Sequence, residues 1–173
     1  MLINLTDYFE VVGKEAKISV PFEADVLDND YQKYPIEEKE DCVLHVVNVG
    51  NGKLTLEGSM NVTLKGSCDR CLEDVKIFVP VEFNYTVAKP DGFHELEEDQ
   101  DLFMDGYMLD AETLIYNELI MSLPMKVLCK DDCKGLCPVC GSNRNVKECG
   151  CDTFVPDPRL AAITDIFNAN KEV

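Results

Sequence analysis

The chain is short of positive charge: 16 Lys and Arg stand against 33 Asp and Glu, for a formal charge of −17 and a pI near 4.3. Sequence-independent affinity for phosphate comes from Lys and Arg displacing counterions, so the whole chain is a poor general binder of nucleic acid and a better match for cationic protein partners. Nowhere does it approach the roughly 20 consecutive apolar residues that cross a bilayer, which predicts no membrane contact. The first basic residue is Lys14, and no basic segment leads into an apolar run, so no signal peptide and a cytoplasmic location are expected. Catalytic signatures are missing too. There is no Walker loop, no G-x-G-x-x-G, no G-x-S-x-G and no paired Ser/His arrangement, which predicts a protein that is not an enzyme. The two histidines, His45 in a predicted strand and His94 in an acidic connection, are expected to be structural or solvated. Nine cysteines are too few for a small disulfide scaffold and odd in number. Thiols kept reduced in the cytosol serve more often as metal ligands or catalysts than as disulfides.

With 173 residues, 46% of them hydrophobic and 28% charged, the chain can form one compact domain with a small appended module. Period-2 alternation between residues 43 and 88 predicts successive extended segments with one apolar face. Over 54–65, Leu54, Leu56, Gly58, Met60, Val62 and Leu64 share a face opposite Thr55, Glu57, Ser59, Asn61, Thr63 and Lys65. Over 75–87, Val75, Ile77, Val79, Val81, Phe83, Tyr85 and Val87 repeat the pattern. Both read as half-buried antiparallel strands, and Pro80 on the polar face of the second points to a bulge or an edge position. Cys42 to Val49 forms a shorter strand before Asn51-Gly52, a pair that tolerates the positive φ angles of a tight hairpin turn. Residues 16–26 are expected to be extended and residues 27–41 to be a polar connection.

Lys89 to Asp105 reads as a long acidic loop, with Glu95, Glu97, Glu98, Asp99, Asp101 and Asp105 and little to bury. Asp110 can then cap a helix, with Leu109 packing on Leu114 as a staple. The helix runs to about Leu123, where Pro124 ends it, and Leu114, Ile115, Leu119, Ile120 and Leu123 give it a stripe that covers the sheet. Residues 126–153 carry six cysteines and few large apolar side chains, so they cannot fold on a hydrophobic core of their own. The expected fold is therefore α+β: an antiparallel twisted sheet, as a meander or a partly open barrel, covered by a helix, with a C-terminal Cys-rich zinc module. The expected divisions are a β-rich domain over 1–125 with its helix near 110–123, a zinc module over 126–153, and a short helix and tail over 154–173.

The cysteine spacing carries the chemistry. Cys68-Asp-Arg-Cys71 and Cys137-Pro-Val-Cys140 are both Cys-x-x-Cys pairs, a spacing that brings two thiolates to one tetrahedral metal across a tight turn. Gly141 suits the bend after the second pair. Cys129, Cys133, Cys149 and Cys151 supply four more sulfurs, enough for one or two structural Zn²⁺ ions, leaving Cys42 as a buried apolar residue. The preferred pairing puts Cys137, Cys140, Cys149 and Cys151 on one zinc and Cys68, Cys71, Cys129 and Cys133 on another. A single zinc on Cys133, Cys137, Cys140 and Cys151 is the alternative. Redox use of a Cys-x-x-Cys pair competes, but no βαβ unit accompanies either pair. Arg70 reads as a charge-balancing turn residue, or as a group that steadies thiolate charge or touches phosphate. Lys126, Lys130, Lys134, Arg144 and Lys147 give the cysteine segment a basic share, opposed by Asp131, Asp132, Glu148 and Asp152.

Cys68-Asp-Arg-Cys71-Leu72 after an alternating strand, the acidic connection, the helix ending in Leu123-Pro124, Cys133-Lys-Gly-Leu-Cys137-Pro-Val-Cys140-Gly, and Asp157-Pro-Arg-Leu160 together resemble the bacterial and plastid family of the large ribosomal RNA subunit accumulation protein YceD. The resemblance covers about 40–168, and the Cys-rich segment is its most specific part. It implies a role in accumulation of large-subunit (23S) ribosomal RNA and no catalytic residues, with Cys68 and Cys71 as the more widespread pair and the site around Cys137 and Cys140 as an elaboration.

Three functions follow as expectations. The first is a non-catalytic ribosome biogenesis factor whose acidic body holds a basic ribosomal protein or a large-subunit precursor. The second is a redox or metal-responsive thiol regulator, and the third a direct RNA-binding zinc protein. Salt dependence separates the last from the first, because direct phosphate contacts weaken steeply with ionic strength.

Overall fold

The computed structural model of the chain describes residues 1–90 and 102–152. It divides into two units, Met1–Ser67 with Asp74–Val127, and Cys68–Glu73 with the chain from Leu128 onward.

The first unit is built on strand alternation. Strands β1 (Leu2–Asn4), β2 (Glu15–Val20), β3 (Val26–Asp28), β4 (Lys33–Lys39), β5 (Cys42–Gly50), β6 (Lys53–Ser67), β7 (Asp74–Ala88), β8 (Met104–Asp105) and β9 (Met108–Asp110) are joined by two helices, α1 (Thr6–Glu10) and α2 (Ala111–Met121). All strand pairs are antiparallel. β5, β6 and β7 form the expected meander within an open sheet. The 15-residue β6 pairs with β7 along its whole length, while its other edge is shared by β5 and β4. The turn at Asn51-Gly52 takes φ of 55° and 67°, as the residue pair predicts.

The alternation becomes burial along both long strands, with Val75 and Tyr85 half-buried. Leu54, Leu56, Met60, Val62 and Leu64 of β6 face the core with Ile77, Val79, Val81, Phe83 and Val87 of β7. Each such side chain contributes roughly 1.5–3 kcal/mol when fully removed from water. Gly58 is the gap in the row, and Phe83 opposite fills it: a Cβ at Gly58 would fall inside the Phe83 ring. Cys42 is fully buried among these apolar residues, and burial pushes its thiol up to about 11.

Pro80 occupies an edge, and β7 pairs across it with no register shift. Its partner Asn61 turns its carbonyl away from β7 to accept from the Glu40 amide at 3.2 Å. Asn61 and Pro80 are thus a non-hydrogen-bonded pair, so the N–H that proline lacks belongs to the outer edge of β7.

α2 covers the sheet with Leu114, Ile115 and Leu119 buried. Asp110 caps it as its position predicts: the carboxylate accepts from the Thr113 amide at 3.4 Å and from the Thr113 hydroxyl at 2.8 Å. These bonds, chiefly the hydroxyl, hold the Asp110 carboxyl below the ordinary value. Leu109 is buried beside it, and the chain leaves the helix at Ser122.

One expectation is corrected. Residues 27–41 are not a polar connection, because β3 and β4 form a hairpin there, and β4 goes on to pair with β6. Local side chains close its turn: the Asn29 carboxamide accepts from the Gln32 amide at 2.8 Å, and Asp30 takes φ of 68°. The half-buried Tyr34 and Ile36 alternate with exposed Lys33, Pro35 and Glu37, a period-2 signal masked by charge and proline. His45 lies on the outer face of β5 between Glu15 at 3.3 Å and Glu57 at 3.6 Å. Most of the acidic stretch, His94 and the segment 154–173 fall outside the described residues. Among the described residues, no helix is long and apolar enough to cross a membrane.

Candidate metal centres

The second unit is organised by two turns of the same design. In Cys68–Glu73, the Cys68 carbonyl accepts from the Leu72 amide at 2.9 Å, and the Cys68 amide donates to the Glu73 carbonyl at 2.8 Å. In Cys137–Ser142, the Cys137 carbonyl accepts from the Gly141 amide at 2.8 Å, and the Cys137 amide donates to the Ser142 carbonyl at 2.8 Å. Each turn folds its Cys-x-x-Cys pair so that both sulfurs face one point. The residue after the second cysteine must then take a positive φ: 71° at Gly141, where glycine meets it freely, and 61° at Leu72, where a side chain must be accommodated.

Two clusters of four sulfurs result. Cys68, Cys71, Cys129 and Cys133 form the first, and Cys137, Cys140, Cys149 and Cys151 the second; in each, the sulfurs all lie within 4.8 Å of one another. These are the sets of the preferred pairing, and Cys133 is not in the cluster that holds Cys137, Cys140 and Cys151. Cys68 Sγ lies 3.8 Å from Cys133 Sγ, and Cys71 Sγ lies 3.5 Å from Cys129 Sγ. Four thiolates around a tetrahedral ion at about 2.3 Å stand about 3.8 Å apart, so the donor set and its spacing fit a four-coordinate soft cation. Gly150, with φ of 64°, allows the unusual one-residue spacing of Cys149 and Cys151.

Each cluster sets its thiols against one another electrostatically. Burial works against ionising Cys68, but amides of Arg70, Cys129 and Cys71 donate to its sulfur and bring it down to about 6. Cys71 receives a hydrogen bond from the Glu73 backbone, yet burial and the sulfurs of Cys68, Cys129 and Cys133 push it up to about 12. In the second cluster, the Cys151 amide is the main influence that brings Cys149 down to about 6. The Ser142 hydroxyl lowers Cys140, and the neighbouring Cys140 and Cys149 raise Cys151 to about 12. Donor groups thus create thiolates in each cluster until accumulated negative charge stops further ionisation. A divalent cation bound among the sulfurs would relieve that repulsion.

The shell around the sulfurs was less legible in the residue pattern. Arg70 donates from Nη1 to the Cys133 carbonyl at 2.8 Å and accepts from the Leu136 amide at 2.9 Å, so it braces the first cluster through backbone groups. Asn145 donates to Cys133 Sγ at 3.2 Å while accepting from the Lys134 amide at 2.8 Å. Asn143 donates to Glu73 at 2.9 Å, and the Arg144 amide donates to the Gly135 carbonyl at 2.9 Å. Gly135 has φ of 71°, and a Cβ there would stand 2.9 Å from the Arg70 carbonyl oxygen. Its place midway between Cys133 and Cys137 is the only sign of this in the sequence.

The chain is similar to several known proteins. An uncharacterized protein of Mycobacterium tuberculosis is 34% identical over 134 residues, which make up 76% of this chain and 64% of that one. A Mycobacterium bovis protein matches with the same figures, and one from Mycobacterium leprae is 31% identical over 113 residues, or 64% of this chain and 51% of its own. The chain thus spans less than two thirds of the length of these relatives. No solved structure matches it significantly. A family model does, over residues 56–167, a stretch that holds both Cys-x-x-Cys turns, all eight clustered cysteines and α2. The chain therefore belongs to the family of the large ribosomal RNA subunit accumulation protein YceD.

Proposed function

We propose that the protein is a non-catalytic ribosome biogenesis factor that supports accumulation of large-subunit ribosomal RNA by binding a basic ribosomal protein or a large-subunit precursor in the cytoplasm. Family membership is the observation that carries this reading. The charge of −17 supplies a physical route, because an acidic surface attracts Lys- and Arg-rich proteins and discourages unselective binding to RNA. Each four-cysteine cluster holds one structural Zn²⁺. Zinc matches an all-thiolate tetrahedral donor set, and four sulfurs close the coordination sphere, leaving no open position for catalysis.

Depletion of the protein is expected to lower mature large-subunit RNA relative to small-subunit RNA. Affinity capture should recover a basic ribosomal protein or an early precursor. If the captured protein survives nuclease treatment, the direct partner is protein; if it is lost, RNA mediates the contact. An unchanged RNA ratio together with an empty capture would refute the role.

A further inference from the structure

The two clusters hold the same four donor atoms in different surroundings. In the first, Cys68, Cys71 and Cys133 are buried, and Cys129 is half-buried. In the second only Cys137 is buried; Cys149 and Cys151 are half-buried, and Cys140 is exposed. Cys133 Sγ is held by the Asn145 carboxamide at 3.2 Å, and its backbone is tied down by Arg70. Cys140 Sγ meets the small hydroxyl of Ser142 at 3.1 Å, and Cys140 is exposed together with its neighbours Pro138 and Val139. Thiolate character and access together decide which sulfur an electrophile reaches first.

We propose that Cys140 is an oxidation site for peroxides, and that the second cluster is an oxidant-labile metal site while the first resists oxidation. The inference rests on the reading that each cluster holds a cation. The Cys140 thiolate attacks one oxygen of hydrogen peroxide and the O–O bond breaks. The hydroxide that leaves takes a proton to become water, and the sulfur, oxidised by two electrons, becomes a sulfenic acid. A neighbouring cluster thiolate then attacks that sulfur. The S–O bond breaks, hydroxide leaves as a second water after taking a proton, and a disulfide forms. The sulfurs of the cluster, all within 4.8 Å of one another, place such a partner beside Cys140. Two of four donors are thereby withdrawn, and the cation is released.

The loop between Cys140 and Cys149 gives this local event a wider effect within the unit. Asn143 and Asn145 sit in that loop and reach Glu73, at the end of the first turn, and Cys133 of the first cluster. Releasing the second cluster loosens the groups that brace the first without removing any of its sulfurs.

The test uses the full-length zinc-loaded protein, with metal content measured first. Content below two equivalents, in protein prepared reduced and without chelator, would defeat the two-cation reading itself. With two equivalents bound, hydrogen peroxide should release one into a chromophoric chelator at least about tenfold faster than the other. Differential alkylation and mass spectrometry at the end of the fast phase should place the disulfide on Cys140, with Cys68, Cys71, Cys129 and Cys133 still alkylated as reduced thiols. Cys140→Ser should abolish the Cys140 disulfide and lose its fast phase. Should that variant fail to fold, the mapping on the unaltered protein decides alone. Two equivalents released together, or first oxidation at Cys68 or Cys71, would overturn the proposal.

Discussion

The first unit is held by carbon and the second by sulfur. Met1–Ser67 with Asp74–Val127 contains nearly all the large buried aliphatic side chains, from Leu5 to Leu119, on strands whose backbones satisfy one another. Beyond Leu128 the described chain contains no helix or named strand, and its buried side chains are chiefly cysteines. A sheet gains stability along its whole length from repeated burial, whereas a short loop segment without apolar bulk gains it at a few points of high charge density. The two units should therefore fail under different insults.

Metal removal should separate them most. Structural zinc supplies on the order of 10 kcal/mol per site, so exhaustive chelation, or Cys137→Ser with Cys140→Ser for the second cluster alone, should erase amide-exchange protection in the affected turns. Protection over β5, β6 and β7 should persist. If the sheet lost protection in step with the turns, the contrast between the units would collapse.

Truncating the carbon core is the reverse experiment. Leu56→Ala removes a fully buried side chain from the middle of β6 and should cost about 2–5 kcal/mol in denaturant unfolding of the first unit. Bound zinc should be unchanged in the variant while it remains folded. Loss of metal at denaturant concentrations where only the sheet is melting would mean that the units are not energetically separate.

A smaller effect, of opposite sign, compares the two turns directly. Leu72 is 65% exposed and sits at a φ of 61° where the equivalent residue of the second turn is glycine. Leu72→Gly relieves roughly 1 kcal/mol of backbone strain and forfeits little packing, so it should slow zinc loss from the first cluster. Faster loss would show that the exposed leucine holds the turn in some other way.

The smallest effect concerns the cap on α2. Asp110→Ala should cost about 0.5–1 kcal/mol, toward the low end because the carboxylate is 41% exposed. The sign with pH follows from its lowered value. The contribution is complete above the ordinary carboxylate value of 3.8 and disappears as pH falls through the folded value below it, so variant and parent should converge in acid. A gap that persists in strong acid would assign the loss to something other than the charged cap.

Much of the molecule was open to sequence reasoning wherever one local period governed it. The alternation at 54–65 and 75–87, the Asn51-Gly52 turn, the Asp110 cap and the burial of Cys42 all follow from neighbours a few residues apart. The hairpin at Val26–Lys39 did not stand out, because Pro35 and four charged residues in β4 dilute its period, and pairing with β6 stabilises a strand that is weak alone. The short strands β1, β8 and β9 likewise exist because they pair: Leu2 meets Asp110 across more than a hundred residues.

The cysteine clusters divide along the same line. Sequence alone determined that eight sulfurs stood at metal-binding spacings and that the segment carrying six of them could not close a core, because ligand type and local turn geometry are properties of a few consecutive residues. Only the tertiary structure decided which sulfurs share a centre, that Arg70, Gly135 and Asn145 form the shell around the first, and that Cys140 stands exposed while Cys68, Cys71 and Cys133 are buried. Those outcomes depend on bringing residue 68 next to residue 133. Long-range closure of that kind is settled by the packing of the whole fold and leaves no periodic trace in the chain.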